Sequence, residues 1–222
     1  MQILIHGLIQ GLFISLLAIG FSIVYNSTRI FHIAQGAIYT LAPFLLFSFI
    51  KLGTTVPIAV LITFAITIFL SMSFEKANHW PLYRKEASTM IQLISSLGIY
   101  IVIIQIVAII WGNEAKVLRE GIDVTYNFSG LILTRSQVIG GIISLAFITT
   151  FFFWIKRTNS GFVFTALSDN PIQLSLLGYD ISRLRLLAFG MSGLFTTAAA
   201  ILTALDIGFD PHGGLNAVLI AI

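Results

Sequence analysis

Long apolar runs, parted by short polar clusters, dominate this chain. They lie at about 4–25, 33–50, 55–74, 89–111, 136–155 and 184–206. Each is near the roughly 20 residues that a hydrocarbon core demands of a spanning helix. The pattern predicts an all-α polytopic transmembrane helix bundle of about six spans, in a single domain over 1–222. The first run lacks a basic leader and exceeds the usual apolar core of a cleaved signal, about 7–15 residues, so it reads as a retained helix. The second run is short and opens on the polar patch "HIAQG". Such a start is expected to be half-buried, with protein or water covering its backbone. After Asp206 come "IGFDPHGG" and the apolar "LNAVLIAI". Eight residues are too few to cross lipid, so this run is expected to be a further helix that is cut short or completed by a partner.

Composition agrees with the pattern. Hydrophobic residues make up 57% of the chain and charged residues 9%, with a mean hydropathy of +0.98. A soluble domain carries roughly 25% charged residues and could not bury so much apolar surface in one core. The absence of cysteine excludes disulfides and thiolate metal sites. The net charge of +3 resides in short loops, which argues against nucleic acid as a partner. Those loops set the orientation. Alternation puts Arg29, Lys76, Arg84, Lys85, Lys156, Arg157, Arg183 and Arg185 on one side, and Lys51, Lys116, Arg119 and Arg135 on the other. The richer side is expected to be cytoplasmic. The N-terminus then lies outside the cell and the loop 156–183 inside.

Small residues recur at four-residue spacing: Gly7, Gly11 and Ser15 in the first span, and Ser192, Thr196, Ala200 and Ala204 in the sixth. Close backbone approach is what holds helices together in lipid, so both helices are expected inside the bundle. Gln92, Ser95 and Ser96 share one face of the fourth span. That neutral stripe can line a path for a polar solute or bond to a neighbouring helix. Carboxylates avoid the span centres; Glu75 and Asp206 sit at span ends. Ion-driven transporters place ionisable groups at membrane depth, and their absence argues against self-powered transport and against an intramembrane enzyme. His6, His32, His79 and His212 show no metal-ligand spacing, and no zinc-protease, serine-hydrolase or phosphate-loop motif occurs.

One cytoplasmic stretch stands out, "TALSDNPIQLSLLGYD", residues 165–180. Asn170 suits an N-cap, Pro171 the first helical position and Gly178 the C′ position. The helix between them has about two turns, too few to be stable alone. Ile172 and Leu176 align at i, i+4, with Leu174 and Leu177 nearby. Such a patch docks onto a partner, packs back on the bundle or lies in the lipid interface. Arg183 and Arg185, just before the sixth span, read as positive-inside anchors, above all Arg185.

The segment from Phe164 to Leu215 resembles the permease subunits of branched-chain amino acid ABC importers, and most of all the leucine/isoleucine/valine H-type permease. The shared features are Ala166, Asp169-Asn170-Pro171, Leu177-Gly178, Arg183, the Phe189…Ser192 pair and Asp210-Pro211…Gly214-Leu215. The small-residue first helix and the Arg29-Ile30…Ala34…Gly36 run match as well, so the resemblance spans essentially the whole chain. It differs at His32, Gln35, Ile172, Gln173 and Leu174, where the family usually carries Asn, His, and an acidic residue with alanines.

The resemblance implies an ATP-driven importer of branched-chain or related small amino acids in the bacterial inner membrane. It implies a second homologous permease, two ATPase subunits and a periplasmic solute-binding protein as partners. The chain itself would need no cofactor, since ATP is used by the ATPase subunits. The loop 156–183 becomes a coupling loop, with Ala166, Asp169, Asn170, Pro171, Leu174, Leu176, Leu177, Gly178 and Arg183 as its ATPase-coupling residues. Gln92, Ser95, Ser96, Gln35 and Gly36 are candidates for the translocation path. The family continues through further helices, which implies a C-terminally incomplete domain here. A stand-alone channel or ion-coupled secondary transporter for a small polar solute is the alternative.

Overall fold

The computed structural model describes residues 2–118, 125–128 and 131–222. Ten α-helices occur among them: α1 (Gln2–Thr28), α2 (Gln35–Lys51), α3 (Val56–Phe74), α4 (Trp80–Arg84), α5 (Thr89–Trp111), α6 (Arg135–Arg157), α7 (Ser160–Asp169), α8 (Pro171–Leu176), α9 (Ile181–Ile207) and α10 (Gly213–Ala221). A π-helical turn, Glu75–His79, joins α3 to α4 without a break. A small antiparallel hairpin, β1 (Thr125–Phe128) and β2 (Leu131–Thr134), precedes α6, with Thr125 opposite Thr134. Neither hairpin nor π turn is marked in the hydropathy pattern.

Local sequence accounts for the helix starts. The Ser88 hydroxyl accepts from the Ile91 amide to open α5, and Thr134 and Gln137 form a capping box at α6. Five segments are long and apolar enough to cross a membrane: Gln2–Thr28, Val56–Arg84, Thr89–Trp111, Arg135–Arg157 and Ile181–Ile207. The chain is thus a multi-pass membrane protein.

The exception among the six expected spans is α2, which starts at Gln35 and has 17 residues. The Gln35 side-chain amide donates to the Leu17 carbonyl at 3.1 Å and to the Thr196 hydroxyl at 2.7 Å. Leu17 and Thr196 lie midway along α1 and α9, so α2 begins deep in the bundle. Residues 29–34 lead back inward to reach it, with Ile30, His32 and Ala34 buried. The Ala34 amide is satisfied by the Ser96 hydroxyl at 2.9 Å. Non-helical backbone at this depth requires such protein cover, as the polar opening of the run suggested.

α9 is the central helix, packed by α1, α2 and α3. Phe13, Leu16 and Leu17 of α1 meet Phe195, Ala198 and Leu202 of α9 in the main core. The α9 ladder Ser192, Thr196, Ala200 and Ala204 is buried as expected. The α1 ladder is not: a side chain added at Gly7 or Gly11 would meet nothing within 4 Å. α1 is interior through its large residues and Gly20, and the Gly7–Ser15 face points away from the bundle.

Contacts define two ends. Arg29 bonds to Ser168 and Asp169, and Glu75 to Arg185, so the segments after α1, α3 and α6 share one end. At the other, Lys116 and Phe209 exchange backbone bonds of 2.8 and 2.9 Å, and Gln10 donates to Asp206. The first end collects the eight basic residues of the richer group. Arg119, counted with the poorer group, lies outside the described residues.

Candidate functional site

At the basic end the segment 158–180 folds into two helices rather than one. Thr165–Asp169 belongs to α7, a helix that the polarity of this stretch concealed. α7 turns its Phe164 and Leu167 inward. α8 follows with the termini read from sequence: the Asn170 Oδ1 accepts from the Gln173 amide at 3.0 Å, Pro171 opens the helix, and Gly178 follows its end at φ 88°. The left-handed backbone at Gly178 is what glycine supplies at C′.

The leucines divide. Ile172, Leu176 and Leu177 are 72%, 81% and 75% exposed, whereas Leu174 is 4% exposed. Leu174 is therefore the foot of the helix and not a face offered outward, which corrects its expected place among the docking residues. Arg29 ties the segment down, donating from Nε to the Ser168 hydroxyl at 2.6 Å and from Nη2 to Asp169 at 3.2 Å. Asp180 caps α9 through the Arg183 amide at 3.2 Å, and the exposed Arg183 side chain pairs with Asp180 at 3.0 Å.

Arg185 differs from expectation. It is 3% exposed and pairs with Glu75, itself 2% exposed, through two contacts of 2.5 and 3.2 Å. Its guanidinium lies 4.6 Å from the Tyr83 ring centre and 6.0 Å from that of Trp80. The π turn aims Glu75 inward, and α9 meets it one turn from its start. Arg185 is a buried ion-pair partner and not a membrane-surface anchor. Sequence carried a trace of this, because Glu75 and Arg185 are opposite charges at span ends on the same side. A second buried pair left no such trace: His32 Nδ1 lies 3.2 Å from His79 Nε2, against the Phe189 ring. Among the described residues no group of three His, Asp or Glu is placed to hold a metal ion.

The candidate path residues fall into two groups, and the structure does not gather them around one space. Ser96 caps the inward chain at Ala34, Ser95 donates to Asn78, and Gln92 donates to the Ala87 carbonyl at 3.1 Å. Ser96 and Ser95 thus tie α5 to the α2 break and the π turn, while Gln92 bonds to the turn that leads into α5. Gln35 is fully buried between α1 and α9, and Gly36 sits 3.0 Å, measured from an added Cβ, from the Gly214 carbonyl oxygen. The open space lies one turn further along, between α1, α2, α9 and α10. There a cavity of about 260 Å³ is lined by Gln10, Tyr39, Thr40, Asp210, Asn216 and Ala217, among others.

Comparison with known proteins bears on this architecture. Residues 3–222 match the family model described as branched-chain amino acid transport system / permease component. One relative is the high-affinity branched-chain amino acid transport system permease protein BraD of Pseudomonas aeruginosa. It is 23% identical over 222 residues, covering 94% of this chain and 72% of that protein. Another is the probable branched-chain amino acid transport permease protein LivH of Methanocaldococcus jannaschii. It is 21% identical over 208 residues, covering 89% of this chain and 64% of that protein. No solved structure gives a significant match. With the match running over nearly all residues, this multi-pass chain belongs to the branched-chain amino acid transport permease family.

Proposed function

We propose that this chain is the membrane-spanning subunit of an ATP-driven importer for branched-chain or related small amino acids. Its partners are a second homologous permease, two ATPase subunits and a periplasmic solute-binding protein. It lies in the inner membrane with the N-terminus outside and the basic end in the cytoplasm, as the charge bias favours. The chain performs no covalent chemistry, and ATP is hydrolysed by the partner subunits.

The observation that carries this reading is α8. Three large apolar side chains stand exposed, Ile172 and Leu176 on a six-residue helix capped at Asn170 and footed by Leu174, and Leu177 just past its end. An apolar knob on a rigid mount suits insertion into a partner's groove. Two links lead inward from it. One is Asp180, which caps the central helix α9. The other is Arg29, at the elbow between α1 and the broken α2. A push on α8 therefore reaches both the core of the bundle and the chain break. Rocking of packed helices between two arrangements would follow from that push.

The test is Leu176→Asp with Leu177→Asp. The variant is expected to insert in the membrane normally and to lose co-purification of the ATPase. Retention of the ATPase at wild-type level overturns the docking role. Uptake that continues without an ATPase and collapses with the ion gradient would transfer the function to a secondary transporter.

A further inference from the structure

Between Leu187 and Leu202, α9 is buried except at Leu187, Met191 and Leu194. These three line a groove shared with α6. Its floor is aromatic. Phe147 and Phe151 of α6 meet Phe195 of α9 edge-on, with ring centres 6.2 and 5.0 Å apart. The rings hold the two helices apart, and a cavity of about 470 Å³ opens over them. A second cavity, of about 330 Å³, continues from it towards the basic end, and Trp154 and Met191 line both.

The groove changes character along its length. Apart from Thr150, the first cavity shows only apolar and aromatic side chains, whereas the second also shows Asn159 and Tyr179. Beyond these, an arginine extends each wall. Arg157 lies one turn past Trp154 on α6, and Arg183 one turn before Leu187 on α9; both are exposed. Asp180 shares the charge of Arg183, at 3.0 Å.

Length, lining and charge together select the occupant. From Ala146 to Arg157 the α6 wall rises about 17 Å, at about 1.5 Å per residue. One leaflet supplies about 15 Å of hydrocarbon. The apolar part therefore fits an acyl chain, with the arginines at headgroup depth and Trp154 in the interfacial layer that tryptophan favours. A further helix fits poorly. Helices in lipid meet through small residues, and α9 offers Met191, Leu194 and Phe195 here. Basic pockets between spanning helices suit anionic headgroups.

We propose that the α6–α9 groove binds one anionic phospholipid from the leaflet at the basic end. An acyl chain lies over Phe147, Phe151 and Met191. The phosphate meets Arg157 and Arg183, with Tyr179 and Asn159 as hydrogen-bond donors. Val163 and Phe164 of α7 line the second cavity as well, so the lipid fastens the segment that carries α8 to α9. Such a site requires only a multi-pass bundle and depends neither on the solute nor on ATP.

The chain has three tryptophans, and bromine quenches the indoles it lies against. The full chain and Trp154→Phe are reconstituted in phosphatidylcholine vesicles, and the difference between their emissions isolates Trp154. Phosphatidylglycerol brominated in the acyl chain, at about a tenth of the lipid, is expected to quench Trp154 like about fivefold more brominated phosphatidylcholine; that is the gain from about 1 kcal/mol for one basic residue, with Arg183 partly offset by Asp180. Arg157→Gln with Arg183→Gln is expected to bring this preference to about one. Lys76→Gln with Arg84→Gln removes equal charge from the same end and is expected to leave the preference within about twofold.

Equal quenching by the two lipids overturns the proposal, since the groove then meets ordinary boundary lipid. A Trp154 that neither lipid quenches is covered by protein, which overturns it too. A preference kept in the Arg157–Arg183 variant, or lost equally in the Lys76–Arg84 variant, places the attraction elsewhere at the basic end and removes the site. Arg157→Gln and Arg183→Gln singly, read in the same way, decide should the double variant not fold.

Discussion

Arg185→Met should cripple the fold, and Glu75→Met with Arg185→Met together should restore it. The pair is bidentate, both side chains are at most 3% exposed, and no surface water screens it. Removing one member of such a pair strands a buried charge, typically at a cost of about 3–5 kcal/mol. At roughly 2–4 °C per kcal/mol the midpoint should fall by about 6–20 °C.

The double variant should lie within about 1 kcal/mol of wild type, because apolar residues replace buried pairs with little loss. Thermal unfolding of the detergent-solubilised chain, followed by tryptophan fluorescence, reads all four proteins. Trp80 lies beside Arg185 and reports locally. A double variant less stable than either single variant would refute the reasoning.

Two further substitutions probe other contacts. Gly214→Ala puts a methyl into the Gly36 carbonyl and the Thr40 hydroxyl; backbone has to shift, so a loss of about 1–3 kcal/mol is expected in the same thermal assay. Asn170→Ala removes the cap of α8 and should cost about 1 kcal/mol locally. It should speed limited proteolysis between 165 and 180 while leaving the global midpoint within about 2 °C, and an unchanged cleavage rate would show that the cap does not hold α8.

What sequence disclosed, and what it hid, follows from the range of the forces involved. The α8 boundaries were legible because Asn170, Pro171 and Gly178 act on their own backbone within one turn. The spans were legible because length and apolarity must match a hydrocarbon slab whatever the packing. The late start of α2 was signalled by the polar "HIAQG" patch, since polar groups at depth need protein partners. Leu174 and Arg185 were misjudged for one shared reason. Both depend on packing against distant chain: α8 carries apolar residues on its exposed and its buried side alike, so periodicity does not tell which side is its foot, and a basic residue near a span end looks like an anchor until its acid is found. That acid, Glu75, is 110 residues away and reaches Arg185 only because a π turn redirects it. The His32–His79 contact and the meeting of Gly36 with Gly214 likewise depend on the start of α2 inside the bundle. The residues most closely tied to this break are those whose roles depend on distant chain, and the cavity lined by Tyr39, Thr40 and Pro43 of α2 lies one turn beyond it.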